Sequence, residues 1–227
     1  MRTVVGVLAE PPIAGACKKG LLAAHSGEWV AGLYAAMLRD VLDGAQSIDA
    51  EDYVVLASPL PSPQAALEVL VRQVPVPWKI VAQPDVQRRG RIAAALASLV
   101  ARPDGEEATV AVLFTADVPT FDPAPLVDAI SRIGDAPGMT IAPTEGGAIG
   151  AIATCRLDPA TYRDVAWETS AALDALRARC KDRGVPLHEL PAWYAVDAPS
   201  DVLRLAEELR SHPERAPRSA QYLVTHA

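Results

Sequence analysis

Cysteine is scarce: Cys17, Cys155 and Cys180 are the only three in 227 residues, and no two are close in sequence. An odd number without short pairing motifs excludes a disulfide scaffold and fits a reducing cytoplasm. No zinc-type spacing of cysteine and histidine occurs. Basic residues are also outnumbered, with 21 Lys and Arg against 28 Asp and Glu, for a formal charge of -7. That deficit argues against nucleic acid as a partner, since a non-specific nucleic-acid surface needs a basic footprint. An acidic enzyme still binds a phosphorylated ligand where a few cations, or a divalent metal, are gathered in a cleft. No apolar run of about 20 residues is present. The first strand-like run begins at Thr3, with no charged region and separate apolar stretch ahead of it. Neither a membrane span nor a signal peptide is expected. The histidines, at 25, 188, 212 and 226, are scattered, and no Ser/His/Asp arrangement follows from them. No internal repeat is found, and no linker is long enough to separate a second domain from the first.

Half of the residues are hydrophobic, so a sizeable core can be buried. The chain is organised around Thr109 to Pro119, TVAVLFTADVP. Its uncharged, β-branched start suits a strand buried on both faces. Pro119 lacks the N–H that a central ladder needs, so the strand must end before it. Asp117 is thus expected at the carboxyl end of a core strand, where open α/β sheets bind ligands. The alternative is an aspartate that only caps the turn ahead of Pro123.

Other strand-like runs are Thr3–Leu8, Tyr53–Ala57, Trp78–Ala82, Met139–Pro143, Ala148–Thr154 and Pro186–Leu190. Helical spacing covers Gly27–Asp43, with Ser26 as N-cap and Gly44 as stop, and also Gln64–Val71 and Arg88–Val100. Further helices are read at Pro123–Ile133, at Ser170–Arg183 with Thr169 as cap, and at Val202–Arg210. Alternation of strands and helices, with a hairpin near Gly146 and Gly147, predicts three α/β/α layers around a mainly parallel mixed sheet. Residues 1–210 are read as one domain and 211–227 as a polar C-terminal tail. The Gln221–Val224 patch in that tail either packs on the body or meets a partner chain, as in a homodimer.

Candidate site residues follow the same logic. Gly15, Lys18 and Lys19 lie in the loop after the first strand, which reads as a phosphate cradle or as two solvated lysines. Spacing of the Walker type is absent. Arg88, Arg89 and Arg91 open a helix after the third strand and face either phosphate or solvent. Asp197 precedes a helix and either caps it or joins Asp117. Two such carboxylates would hold Mg²⁺ or Mn²⁺, which oxygen ligands suit.

Five segments resemble, in order, a bacterial glycosyltransferase-A-type family of the arsenosugar-biosynthesis kind. They are Ala9–Leu21, Thr115–Pro119, Ala142–Gly147, Trp167–Thr169 and Val196–Asp201. The family's patterns there are Lys-Pro-Pro-x-x-Gly-x-x-Lys-Thr-Arg-Leu, Gly-x-Asp-x-Pro, Pro-Ala-x-Asp-Gly-Gly, Trp-Ser-Thr and Val-Asp-Thr-Pro-x-Asp. The resemblance implies a nucleotide-diphospho-sugar transferase fold and a metal-dependent transfer from a nucleotide-sugar to a small-molecule acceptor. Nucleotidyl transfer in the same fold is a close variant. Position by position, Lys18 would contact phosphate, with Lys19, Gly15, Arg91 and Trp167 beside the nucleotide. Asp117 and Asp197 would hold the metal, Asp117 and Glu145 would be catalytic, and Gly146 and Gly147 would line the sugar or acceptor side. The chain departs from the pattern at Glu10, Lys19, Gly20, Glu145 and Glu168. These changes keep the metal pair and alter substrate-facing positions, through a changed substrate or through loss of turnover in a nucleotide- or partner-binding relative.

Overall fold

A computed structural model describes residues 2–58, 64–83, 90–100, 110–133, 138–155, 159–163, 165–167 and 169–226. The expectations for Thr109, Arg88, Arg89 and Glu168 lie outside them.

Seven strands form one sheet: β1 (Thr3–Ala9), β2 (Asp52–Ala57), β3 (Lys79–Ala82), β4 (Val110–Thr115), β5 (Gly138–Pro143), β6 (Ile149–Cys155) and β7 (Leu187–Glu189). Their order is β3-β2-β1-β4-β6-β5-β7. Only β6 runs against its neighbours; the other pairings are parallel. The VAVLFT run thus supplies the middle strand, as its two-sided apolar character requires. Val110, Val112 and Phe114 of β4 enter one core, and Ala111 and Leu113 enter the other.

Helices cover both faces. Helices α1 (Gly27–Ala45), α2 (Gln64–Val71), α4 (Ala124–Ile133) and α7 (Pro199–Ser211) share the first core; α3 (Arg91–Val100), α5 (Pro159–Tyr162) and α6 (Ala172–Arg183) share the second. This is the expected three-layer arrangement. Connections from β1 run outward to β2 on one side, while β4 opens the other side. The crevice between β1 and β4 is therefore the topological switch point.

Three local expectations are corrected. Helix α1 runs one residue past Gly44, to Ala45. Helix α6 begins at Ala172 with Ala171, which has no polar side chain, at the N-cap, and the expected cap Thr169 donates its hydroxyl to the Ala166 carbonyl (2.7 Å). The boundary at residue 210 falls inside α7, and the polar tail beyond it is helical in part. Pro217–Thr225 forms α8, whose first N–H groups donate to Asp40 of α1, Arg218 N at 2.9 Å and Ser219 N at 2.8 Å. Tyr222 turns inward and donates to the Trp29 carbonyl (3.0 Å). The Gln221–Val224 patch thus packs on the body through Tyr222, while Val224 stays exposed.

Candidate functional site

The ladder of the parallel half continues one residue past each strand. Ser58 N donates to the Ala9 carbonyl and Gln83 N to the Ala57 carbonyl, both at 2.8 Å. These residues, with the loops after β1 and β4, wall a cleft of about 710 Å³ at the carboxyl ends of the strands. Lys18, Lys19, Arg91, Asp117 and Asp197 all line it. A second cavity, of about 530 Å³, lies on the other side of the 118–123 loop. Phe114, Phe121, Trp193 and several prolines line that one, and neither the Asp117–Asp197 pair nor Lys18 reaches it.

The loop, strand end and helix start that carry the charges are tied through the backbone. Val196 N donates to the Asp117 carbonyl (2.8 Å). Asp201 caps the start of α7, its Oδ2 accepting from Asp197 N (3.0 Å) and Ala198 N (2.7 Å). The cap is therefore Asp201, which leaves the Asp197 carboxylate free to point elsewhere. Lys18 sits in the left-handed region, φ 42°, the only non-glycine to do so among the described residues. Such backbone is uncommon for a side chain with a Cβ and persists where the surroundings enforce it.

The two predicted acids do meet. Lys18 Nζ donates to Asp117 Oδ2 (2.9 Å) and to Asp197 Oδ1 (2.5 Å). Thr115 Oγ1 donates to Asp117 Oδ1 (2.5 Å). Burial alone would push the Asp117 carboxyl up, but the adjacent Lys18 ammonium and the Thr115 hydroxyl hold it below the usual range. Burial likewise opposes the charge on Lys18, and Asp117 and Asp197 overcome it, so its affinity for the proton is raised. Lys18 thus bridges the two acids through its ammonium. Both acids offer hard oxygen donors suited to Mg²⁺ or Mn²⁺. No third His, Cys, Asp or Glu joins them as a metal-holding group among the described residues. Phosphate oxygens and water are the usual complement at such a Mg²⁺ site.

The remaining candidates divide. Lys19 is exposed at the mouth. Arg91 faces Glu10 across 3.8 Å. Trp167 is fully buried beneath the cleft, its Nε1 donating to the Tyr162 carbonyl (3.1 Å). Gly15, Glu145, Gly146 and Gly147 do not line the cleft. Glu145 is held at the hairpin tip by Arg204 of α7, in a two-pronged pair of 2.5 and 2.9 Å, and the Arg204 guanidinium in turn covers the Tyr194 ring at 4.1 Å. Glu145 thus stands beside the cleft-lining Thr144, paired with Arg204. Gly147 has φ +81°, and its Cα is packed against Ser170, where a Cβ would stand 2.9 Å from the Ser170 Cα. Its role is in the turn.

Gln83 is a site residue that the sequence did not suggest. Its Nε2 donates to the Leu56 carbonyl (2.7 Å), which fixes the amide, because the flipped form would set oxygen against oxygen. Its Oε1 is buried without a partner among the described residues and belongs to a cleft-lining residue. An unmet buried acceptor costs about 1–3 kcal/mol, so a ligand donor at this point would be gained at little further cost. Tyr34, also in the wall, accepts from Glu10 N (2.9 Å), and burial keeps its phenol neutral.

Comparison with known proteins bears on the fold. A presumed nucleotide-diphospho-sugar transferase from Desulfovibrio desulfuricans G20 superposes with a TM-score of 0.80 at 18% identity, over 99% of this chain and 95% of that one. CMP:2-keto-3-deoxy-manno-octonic acid synthetase, complexed with CTP, gives 0.58 at 11%, over 93% and 99%. The 4-diphosphocytidyl-2C-methyl-D-erythritol synthase of Anaerococcus prevotii DSM 20548 gives 0.57 at 7%, over 92% and 99%. The chain has the nucleotide-diphospho-sugar transferase fold. No family model and no curated protein matches the sequence, so the arsenosugar-type label rests on the motif resemblance alone. No described helix is long and apolar enough to cross a membrane.

Proposed function

We propose that this chain is a metal-dependent glycosyltransferase that moves a sugar from a nucleotide-diphospho-sugar to a small acceptor. The observation that carries it is the convergence of Lys18, Asp117 and Asp197 in a cleft at the switch point of the sheet. In the reaction, the bond from the anomeric carbon to the diphosphate breaks, an acceptor oxygen bonds to that carbon and gives up its proton, and a nucleoside diphosphate leaves. Lys18 and Lys19 meet the charge that builds on the departing diphosphate. A divalent cation on Asp117 and Asp197 supplies further neutralisation of that group when bound. Gln83 and Ser58 lie on the wall where β2 and β3 end, which suits them to the base and ribose side. Three buried thiols, Cys17, Cys155 and Cys180, accord with work in a reducing cytoplasm.

The second reading is nucleotidyl transfer from a nucleoside triphosphate to a phosphorylated small molecule. Arg91, which lines the same cleft as the two lysines, favours it, since three cations suit a triphosphate. Two of the similar folds are named as synthetases or synthases of cytidylated compounds. Product analysis separates the readings: free nucleoside diphosphate for the first, inorganic diphosphate for the second.

The test begins with binding. Nucleotides and nucleotide-sugars are screened by thermal shift with and without Mn²⁺; a ligand at 100 times its Kd adds about 2.7 kcal/mol. Asp117→Asn and Asp197→Asn are each expected to keep the fold and lose the metal-dependent part of that stabilisation. Retention of it by both variants would remove the metal site and the mechanism with it.

A further inference from the structure

We infer that Lys18 is the resident counter-ion of the Asp117–Asp197 pair and must leave it before a divalent cation can enter, so that cation and nucleotide phosphate are taken up together. The inference rests on the metal site proposed above and adds an order of events to it. Two of the three N–H donors of the ammonium are already committed, at 2.9 and 2.5 Å, to the carboxylates that the cation would need. The lysine side chain is 11% exposed and the Asp117 side chain 22% exposed, so that half of the bridge is poorly screened by water, while the Asp197 side chain is 65% exposed. A divalent ion arriving alone would meet a pair whose charge is half neutralised and an ammonium fixed between its two ligands. Like charges at that spacing repel strongly where water is scarce.

A nucleotide diphosphate removes the obstacle. Its oxygens offer Lys18 charge-assisted acceptors equal to those it gives up, and the side chain can turn from carboxylate to phosphate without losing its partners. The backbone is already set for this: Lys18 is held in its left-handed conformation, and the 3₁₀ turn that follows, Lys19–Ala23, is braced on the Asp197 main chain. Only the side chain needs to swing. The vacated carboxylates then present their oxygens while phosphate supplies the remaining ligands. Coupling of this kind is reciprocal, so nucleotide raises cation affinity by the factor by which cation raises nucleotide affinity.

The experiment is calorimetric titration of Mn²⁺ alone into wild type, Lys18→Met and Lys18→Arg, followed by the same titrations with a saturating nucleoside diphosphate. Lys18→Met is expected to bind Mn²⁺ alone about fivefold or more tightly than wild type, the low end of ordinary coupling, and to be thermally stabilised by Mn²⁺ without nucleotide. Lys18→Arg keeps a cation between the acids and is expected to resemble wild type. Equal Mn²⁺ affinity of wild type and Lys18→Met in the absence of nucleotide overturns the inference and leaves the metal site standing. Absence of Mn²⁺ binding in every variant, with and without nucleotide, overturns the metal site itself. Should Lys18→Met fail to fold, wild type alone decides: a Mn²⁺ affinity that nucleotide leaves unchanged overturns the coupling.

Discussion

The α-carbon of Gly20 is pressed so closely on the main-chain oxygen of Asp197 that a Cβ there would stand 2.3 Å from it. That contact is backbone against backbone, so neither side can yield by a rotamer change. The motif that this segment resembles has arginine at this position. No side chain fits where the Asp197 carbonyl lies. Gly20→Ala is expected to cost about 1–3 kcal/mol, the usual range for overpacking, and to weaken nucleotide binding by moving Lys18 away from Asp197. Denaturant unfolding and nucleotide titration check it. An unchanged midpoint with unchanged binding would mean that the two loops are not braced on one another.

The acids and the lysine were legible because each stands at a break in pattern: Asp117 after a β-branched run that Pro119 must end, Asp197 ahead of a helix opened by Pro199, Lys18 in a glycine-containing loop after the first strand. The sheet was legible for a related reason, since β4 shows a two-sided apolar run that only a central strand can bury. What stayed hidden depends on distant partners. Glu145 looked catalytic by motif position, yet its direction is set by Arg204 on a helix far along the chain. A single glutamine such as Gln83, at the end of a short edge strand, makes no pattern. Helix α8 is nine residues long, too short for a strong period, and its cap comes from Asp40 rather than from its own flank.

Gln83 carries a prediction about the base. With Nε2 turned to the Leu56 carbonyl, Oε1 is the buried atom left to accept, and so it favours a base that presents N–H at that edge. Gln83→Leu keeps the size and removes the acceptor. A net hydrogen bond contributes about 0.5–1.5 kcal/mol, so the preferred nucleotide should bind roughly threefold to tenfold more weakly, and the preference among bases should flatten. Titration of the common nucleoside diphosphates into both proteins measures this. Identical base preferences in the two would take Gln83 out of the base site.

Helix α8 is docked by a notch. A Cβ on Gly32 of α1 would stand 2.3 Å from the Tyr222 hydroxyl oxygen, so the ring can lie on α1 only where that residue is glycine. The same ring stacks on His226 at 4.1 Å, and Trp29 Nε1 donates to the His226 carbonyl (3.0 Å). Gly32→Ala is expected to free α8 from α1 while leaving the sheet intact. Limited proteolysis should then clip the chain after Ser211 much faster than in wild type, with the larger fragment still folded by circular dichroism. An unaltered cleavage pattern would show that Tyr222 does not anchor the helix.

Asp40 makes that docking depend on pH. Its carboxyl is 5% exposed, and burial raises it from 3.8 to about 6 despite the N–H groups of Arg218 and Ser219 that it accepts. The folded chain therefore holds a proton that the unfolded chain has released between those two values. Stability from this group is full below pH 3.8 and is lost as pH rises through about 6. The span corresponds to roughly 3 kcal/mol at most. Asp40→Asn cannot titrate and still offers one acceptor to the start of α8. Its stability relative to wild type should rise steadily across that window and level off above it. Parallel unfolding curves of the two proteins at closely spaced pH values provide the measurement, and a difference that stays constant across the window would show that Asp40 is ionised throughout.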